Sequence, residues 1–344
     1  MLEKISMKGK FWSIIIPLSL GMFTAAFHPD TARADTDFGA KYAGEFMTLG
    51  AGSRASGMGE TGTAFGGGPA SAYWNPASLV DIEGGGILAM HANRFSGVVK
   101  YDFISAAQRY SESDVFSLTI FRLGVDDIPI TALEDPSSPL GVGNVVVVDE
   151  WTSDSELAVM GTYAFDWRKK WALGVNGKIL SKKVGDNSAF GLGFDVGARY
   201  KHSSNLFFGA RISDVTTTFL GWDTGHNEFI LPSISIGLVK LFSLERMEAD
   251  LNFAFDMVLR GENRGEADQF DYASLSGEAH FGLEYVVQKT LALRAGMDRE
   301  YFTAGAGVRI GPASADYAFQ AHQGLGESHR VSLCFHWNGN PFLK

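Results

Sequence analysis

This chain has almost no cysteine and, past its first 30 residues, no long apolar run. Among 344 residues there is one cysteine, Cys334, so no disulfide within the chain holds the fold. No later stretch reaches the 18 or more apolar residues that a membrane-spanning helix needs. Positive charge is also scarce, with 29 Lys and Arg against 39 Asp and Glu. A net charge of −10 leaves no basic face to neutralise phosphates, which excludes a nucleic-acid partner. What is plentiful is glycine, at 41 residues, and aromatics, at 26 Phe, 10 Tyr and 7 Trp. Glycine well above its usual share of about 7%, together with abundant Phe, suits short strands and tight turns better than helices.

The N-terminus reads as a secretory signal over residues 1–34. Lys4, Lys8 and Lys10 form a basic flank, residues 11–27 an apolar stretch broken by Pro17, and Ala32-Arg33-Ala34 a small-x-small cleavage site. Cleavage would start the mature chain at Asp35 and make it more acidic still.

From Gly86 onward one pattern recurs: ten to twelve residues of alternating apolar and polar side chains, then a polar break. Phe190, Leu192, Phe194 and Val196 alternate with Gly191, Gly193, Asp195 and Gly197. A period of two means strands with one apolar and one polar face. Fourteen such segments occur, at 86–95, 98–109, 115–125, 152–166, 171–183, 189–201, 205–213, 231–241, 247–258, 272–287, 290–298, 301–310, 312–322 and 327–337. The three long connections, 126–151, 214–230 and 259–271, all follow odd-numbered segments, while the turns after even ones are short. Segregation of loops by parity is the mark of an outer-membrane barrel. The pattern predicts an all-β, fourteen-stranded antiparallel transmembrane β-barrel over 86–337, a tail over 338–344, and a bacterial outer-membrane location. Trp167, Trp171, Tyr110 and Trp337 fall on the short-turn rim, where an interfacial aromatic girdle belongs.

In lipid the apolar face points outward. Asp250, Asn252, Asp256, Glu278, His280, Glu284, Arg294, Asp298, Asp316, Gln320, Arg330 and His336 are therefore the candidate lumen-lining residues. Fourteen strands enclose more space than side chains fill, so the lumen must be hydrated or plugged. The candidate plug is a hatch at 35–85, rich in Gly, Ala and Ser and without the strand repeat. Asn75 followed by Pro76 predicts a short helix near 75–81, because Asn accepts from a free amide and Pro needs no donor at the first helical position.

Other motifs carry no chemistry. Residues 57–62 match a dinucleotide-binding glycine pattern, but no strand feeds it and three glycines and a proline soon follow. His322, His329 and His336 recur every seven residues, which reverses the face of a strand at each step and prevents convergence on a metal. No nucleophile elbow, zinc helix or calcium loop occurs, and the acidic segment 126–151 has no histidine for general acid/base work. We therefore expect no enzyme activity, no cofactor and no metal, and we read 126–151 as a solvated acidic loop.

The residues at 50–79, GAGSRASGMGETGTAFGGGPASAYWNPASL, resemble the N-terminal signature of PorV/PorQ-type outer-membrane proteins, part of the wider FadL-like group of fourteen-stranded barrels. The resemblance rests on Arg54, Gly57, Met58, Gly59, Glu60, Tyr73, Trp74, Asn75 and Pro76. It implies outer-membrane lipid and the barrel-assembly machinery as partners, and one of two jobs. PorV-like members carry exported proteins to the surface with type IX secretion components. FadL-like members admit fatty acids or other hydrophobic small molecules, with the hatch as a gate. The type IX role is the primary expectation and the hydrophobic channel the alternative.

Overall fold

The computed structural model describes residues 44–262, 264, 268–322 and 326–339; the signal at 1–34, the start of the hatch at 35–43 and the tail beyond 339 lie outside them. Strands dominate, as the alternating pattern requires. In chain order they are β1 (Gly85–Arg94), β2 (Val99–Arg109), β3 (Asp114–Leu133), β4 (Val146–Arg168), β5 (Trp171–Val184) and β6 (Asn187–Ser203). Then come β7 (Leu206–Ser213), β8 (Thr218–Trp222), β9 (Asn227–Ile230), β10 (Ser233–Leu244), β11 (Ala249–Arg260) and β12 (Phe270–Tyr272). The last five are β13 (Leu275–Val287), β14 (Leu291–Asp298), β15 (Tyr301–Ile310), β16 (Ala313–His322) and β17 (Gly326–Trp337).

Fourteen of these form one closed antiparallel ring, in which β1 pairs with β2 on one side and with β17 on the other. The remaining three, β8, β9 and β12, are short additions at one rim. Closure leaves no edge in the ring, so every ladder amide there has a partner without water, the condition for crossing lipid with strands. The alternation assigns the faces. Along β6, Phe190, Leu192 and Phe194 point outward and are exposed, while Gly191, Gly193, Asp195 and Gly197 point inward and are buried.

Two of the expected loops are largely strand. The segment read as an acidic loop at 126–151 continues β3 and β4 as a paired two-stranded ribbon, with Leu133 opposite Val146. The connection at 214–230 holds the β8–β9 hairpin, in which β8 pairs with the outer end of β6. In the ribbon, solvent on both faces removes the alternation that marks a strand, whereas β8 keeps it, with Thr218 and Leu220 buried and Phe219 exposed, over only five residues.

Within the ring lies the N-terminal segment. It has a 3-10 turn at Glu45–Thr48, a helix at Ser53–Gly57, a second at Ser71–Trp74 and a 3-10 helix at Pro76–Asp81. Asn75 caps the last of these, accepting from the Ala77 amide at 3.0 Å with Pro76 in the first position. Its apolar side chains, Phe46, Tyr73, Leu79 and Ile82 among them, pack on inward residues of β1 to β4 such as Met90, Tyr101, Phe103 and Phe121. Tyr73 meets Phe103 and Phe121 edge-on at ring separations of 6.1 and 6.0 Å. One side of the lumen is thus an apolar core, and the opposite side, from β11 round to β17, is charged.

Candidate functional site

The interior segment is held by side chains reaching from the wall to its backbone and charges. Its first helix anchors through Arg54, whose guanidinium makes two bonds to Glu284 on β13 at 2.9 and 2.7 Å and covers the Phe65 ring at 4.1 Å. Arg294 on β14 reaches the same carboxylate at 2.7 Å and Asp316 on β16 at 2.7 Å, and Asn252 on β11 donates to it at 2.9 Å. Glu284 therefore takes four hydrogen bonds from three side chains on two oxygens while almost fully buried, which a carboxylate tolerates only with such charge-assisted partners.

One turn on, Arg330 of β17 bonds Ser56 and the Glu60 carboxylate. Burial pushes the Glu60 carboxyl above the ordinary range, against the pull of Arg330. Between these points the backbone is pinned directly. Gly59 N donates to Thr303 Oγ1 at 2.9 Å, and Asp256 Oδ2 accepts from the amides of Gly62 and Thr63, both at 2.8 Å. Gly59 and Glu60 sit at φ of 69° and 64°, the left-handed region that ends the helix and turns the chain. Gly57 packs so closely on Gly305 that an added Cβ would lie 3.0 Å from the Gly305 Cα, and Met58 is buried beside them.

The second anchor is on the far wall. Asn75 donates to Thr63 O at 2.8 Å and to Ala198 O of β6 at 3.1 Å, and Arg199 binds Ala64 O at 3.0 Å and Asp81 at 2.7 Å. Tyr73 donates to Met47 O at 2.7 Å, and Trp74 Nε1 donates to Ala51 O at 2.8 Å, tying the segment to itself. Burial raises the Tyr73 hydroxyl to about 12, so it stays a donor at any physiological pH.

The sequence-selected charges fall into two groups. Asn252, Glu284, Arg294 and Asp316 join the Arg54 anchor, and Asp256 and Arg330 hold the following turns. Glu278, His280, Asp298 and Gln320 form a second cluster nearer the long-hairpin rim, with His280 Nδ1 3.1 Å from Asp298 and 3.1 Å from Gly59 O, and Gln320 2.5 Å from Asp298. His336 is half-buried at the short-turn end with its Nε2 3.2 Å from Cys334 Sγ, and half-buried Asp250 joins neither group. Lys178 went unselected. Its Nζ lies buried 2.7 Å from both Asp195 and Asp214. The signal was available, since Lys178 and Asp195 fall on the small-residue face of their strands, where a charge needs an opposite partner.

The segment divides the lumen. On the short-turn side is a cavity of about 230 Å³ bordered by Phe65, Trp74, Met58, Leu88, Val286 and Ala292 with Arg54 and Arg309. On the long-hairpin side is a larger chamber of about 510 Å³, bordered by Arg94, Lys178, Asp195, Arg211, His280 and Asp298. A closed barrel with an internal plug and a chamber on each side defines a class by its architecture: plugged transmembrane β-barrels.

Solved structures place the fold more closely. The toluene transporter TbuX of Ralstonia pickettii is similar at 13% identity and a TM-score of 0.55, over 84% of this chain and 99% of that one. The CymD monoaromatic hydrocarbon channel matches at 13% identity and 0.58, over 84% and 98%, and a Pseudomonas aeruginosa FadL homologue at 11% and 0.52, over 83% and 98%. The fold is that of the FadL-like barrels. No protein-family model and no curated protein matches the sequence.

Proposed function

We propose that this protein is an outer-membrane channel, without enzymatic activity, that admits small, largely apolar solutes past its hatch. The carrying observation is the short-turn-side cavity, where hatch residues Phe65 and Trp74 face wall residues Leu88, Val286 and Ala292. A pocket formed jointly by plug and wall, with an apolar patch of Phe65, Trp74, Leu88, Val286 and Ala292 beside charged groups such as Arg54, Arg309 and Asp316, is where a solute leaving the hatch would first rest. Likeness of fold to two hydrocarbon transporters supports the same reading. The test is uptake of radiolabelled toluene and of a long-chain fatty acid by cells with and without the gene. Uptake of at least one is expected to fall when the gene is deleted and to return with it; unchanged uptake of both overturns the proposal.

A second reading has one observation of its own. The hatch sequence resembles PorV/PorQ-type proteins, and its signature residues Arg54, Glu60 and Asn75 are those that fasten the hatch to the wall. A carrier of exported proteins, acting with type IX components, would leave solute uptake intact on deletion and strand surface proteins in the periplasm. The same deletion strain separates the two.

A further inference from the structure

A strand needs about 9–11 residues to cross a bilayer. β3 and β4 have 20 and 23. Their neighbours stop early, with β2 leaving β3 at Val125 and β5 leaving β4 at Asp154. Above that level the two continue alone, from Ile128 opposite Thr152 to Leu133 opposite Val146. The tip is knit together. Asn144 Nδ2 donates to the carbonyls of Asp135, Ser138 and Pro139 at 2.9, 2.7 and 3.2 Å, and Asn144 Oδ1 accepts from the Asp135 amide at 2.8 Å. The ribbon is a built arm with two free edges.

Those edges are not alike. Along β3, Asp126, Asp127 and Pro129 blunt the edge by charge and by a missing donor. Along β4 the sequence from 145 is Val-Val-Val-Val-Asp-Glu-Trp-Thr, with no proline, and Val145 to Val148 and Trp151 are all exposed. A one-residue bulge at Asp149 divides this edge into two short stretches without closing it. A free edge of β-branched and aromatic residues is a template for another strand and in water a liability. Charge selects the occupant. From Arg122 to Arg168 there is no lysine or arginine, while the ribbon carries Asp126, Asp127, Glu134, Asp135, Asp149 and Glu150. A second copy would set these carboxylates against their like, and a phosphate-bearing lipid surface would repel them in the same way.

We propose that the β4 edge at 146–152 is a docking site for an extended, lysine- or arginine-rich strand of another cell-surface protein, added in line with and above β5. This does not depend on what the hatch admits. The probes are two short peptides, one alternating lysine with valine and one alternating glutamate with valine, titrated onto the barrel in nanodiscs by fluorescence anisotropy. The lysine peptide is expected to bind at least tenfold tighter and to protect amides at 146–152 from hydrogen exchange. The double variant Asp149→Lys, Glu150→Lys should reverse the preference, and Val148→Pro, which removes an amide facing the free edge, should weaken binding about tenfold, with gel mobility before and after heating showing both barrels folded. A photocrosslinker at Val146 in intact cells should join a basic segment of another protein. Equal affinity for the two peptides, unprotected amides, indifference to the variants, or crosslinks confined to lipopolysaccharide or to a second copy would each overturn the proposal.

Discussion

Glu284 is the residue on which the hatch hinges electrically. Removing one partner of a buried ion pair costs about 3–5 kcal/mol, because the remaining charge is left without compensation. Here Arg294 keeps Asp316, but Arg54 keeps no carboxylate, and its side chain is 41% exposed to the short-turn-side cavity, where water recovers part of the loss. Glu284→Gln should therefore cost near the lower end, about 3 kcal/mol, felt at the hatch more than in the ring. Planar-bilayer recording should show a raised leak with unchanged heat-modifiable mobility. Glu60 gives the opposite kind of test. Its carboxyl is held above the ordinary glutamate range of about 4.3, so the docked hatch binds that proton more tightly than a released one. Docking is then favoured most below the ordinary value and weakens as pH climbs through the raised one. Leak should grow as pH rises above the ordinary glutamate value and lose that dependence in Glu60→Gln; a leak that grows toward acid would contradict it.

Among the elements, the inner glycines explain a composition that strands and turns alone do not. At Gly209 on β7 an added Cβ would meet Thr63 O at 2.2 Å, and at Gly174 on β5 it would meet the Pro76 carbonyl carbon at 2.5 Å; both neighbours belong to the hatch. These strands give up side chains where the plug docks. Gly209→Val should displace the hatch at a cost of about 1–3 kcal/mol and raise sensitivity to large antibiotics, whereas Gly161→Val, with open space around it, should change neither. The strands themselves were legible because each has lipid on one side and lumen on the other, which writes a period of two. The ribbon of β3 and β4 was not. With water on both faces nothing forces alternation, and Asp126, Asp127, Pro136, Pro139 and Gly141 read as loop. The hatch was legible by its missing repeat and its Asn75-Pro76 start, but its fastenings were not. Periodicity gives the face of Glu284 and Arg330, yet Arg54 lies 230 positions from its partner.

For the whole molecule, the mean hydropathy of +0.01 is a sum of two solvents. Each outward Phe or Leu of the ring is offset by an inward Gly, Ser or Asp one position away, so the average matches a water-soluble protein although the outer wall is apolar. Exposure alone cannot tell those solvents apart. Phe194, near the middle of β6, is 54% exposed, and Val145, beside the ribbon tip, is 52% exposed. In a soluble sandwich an arginine at either position would extend into water and cost nearly nothing. In a barrel crossing lipid the two must diverge. Phe194→Arg places a guanidinium near the bilayer midplane, at roughly 2–4 kcal/mol, while Val145→Arg remains in water beyond the membrane. Urea-induced unfolding in lipid vesicles should show the first variant destabilised by that amount and the second within about 0.5 kcal/mol of the parent, the ordinary range for a surface change. Equal effects at the two sites would mean that the outer wall of the ring does not face lipid.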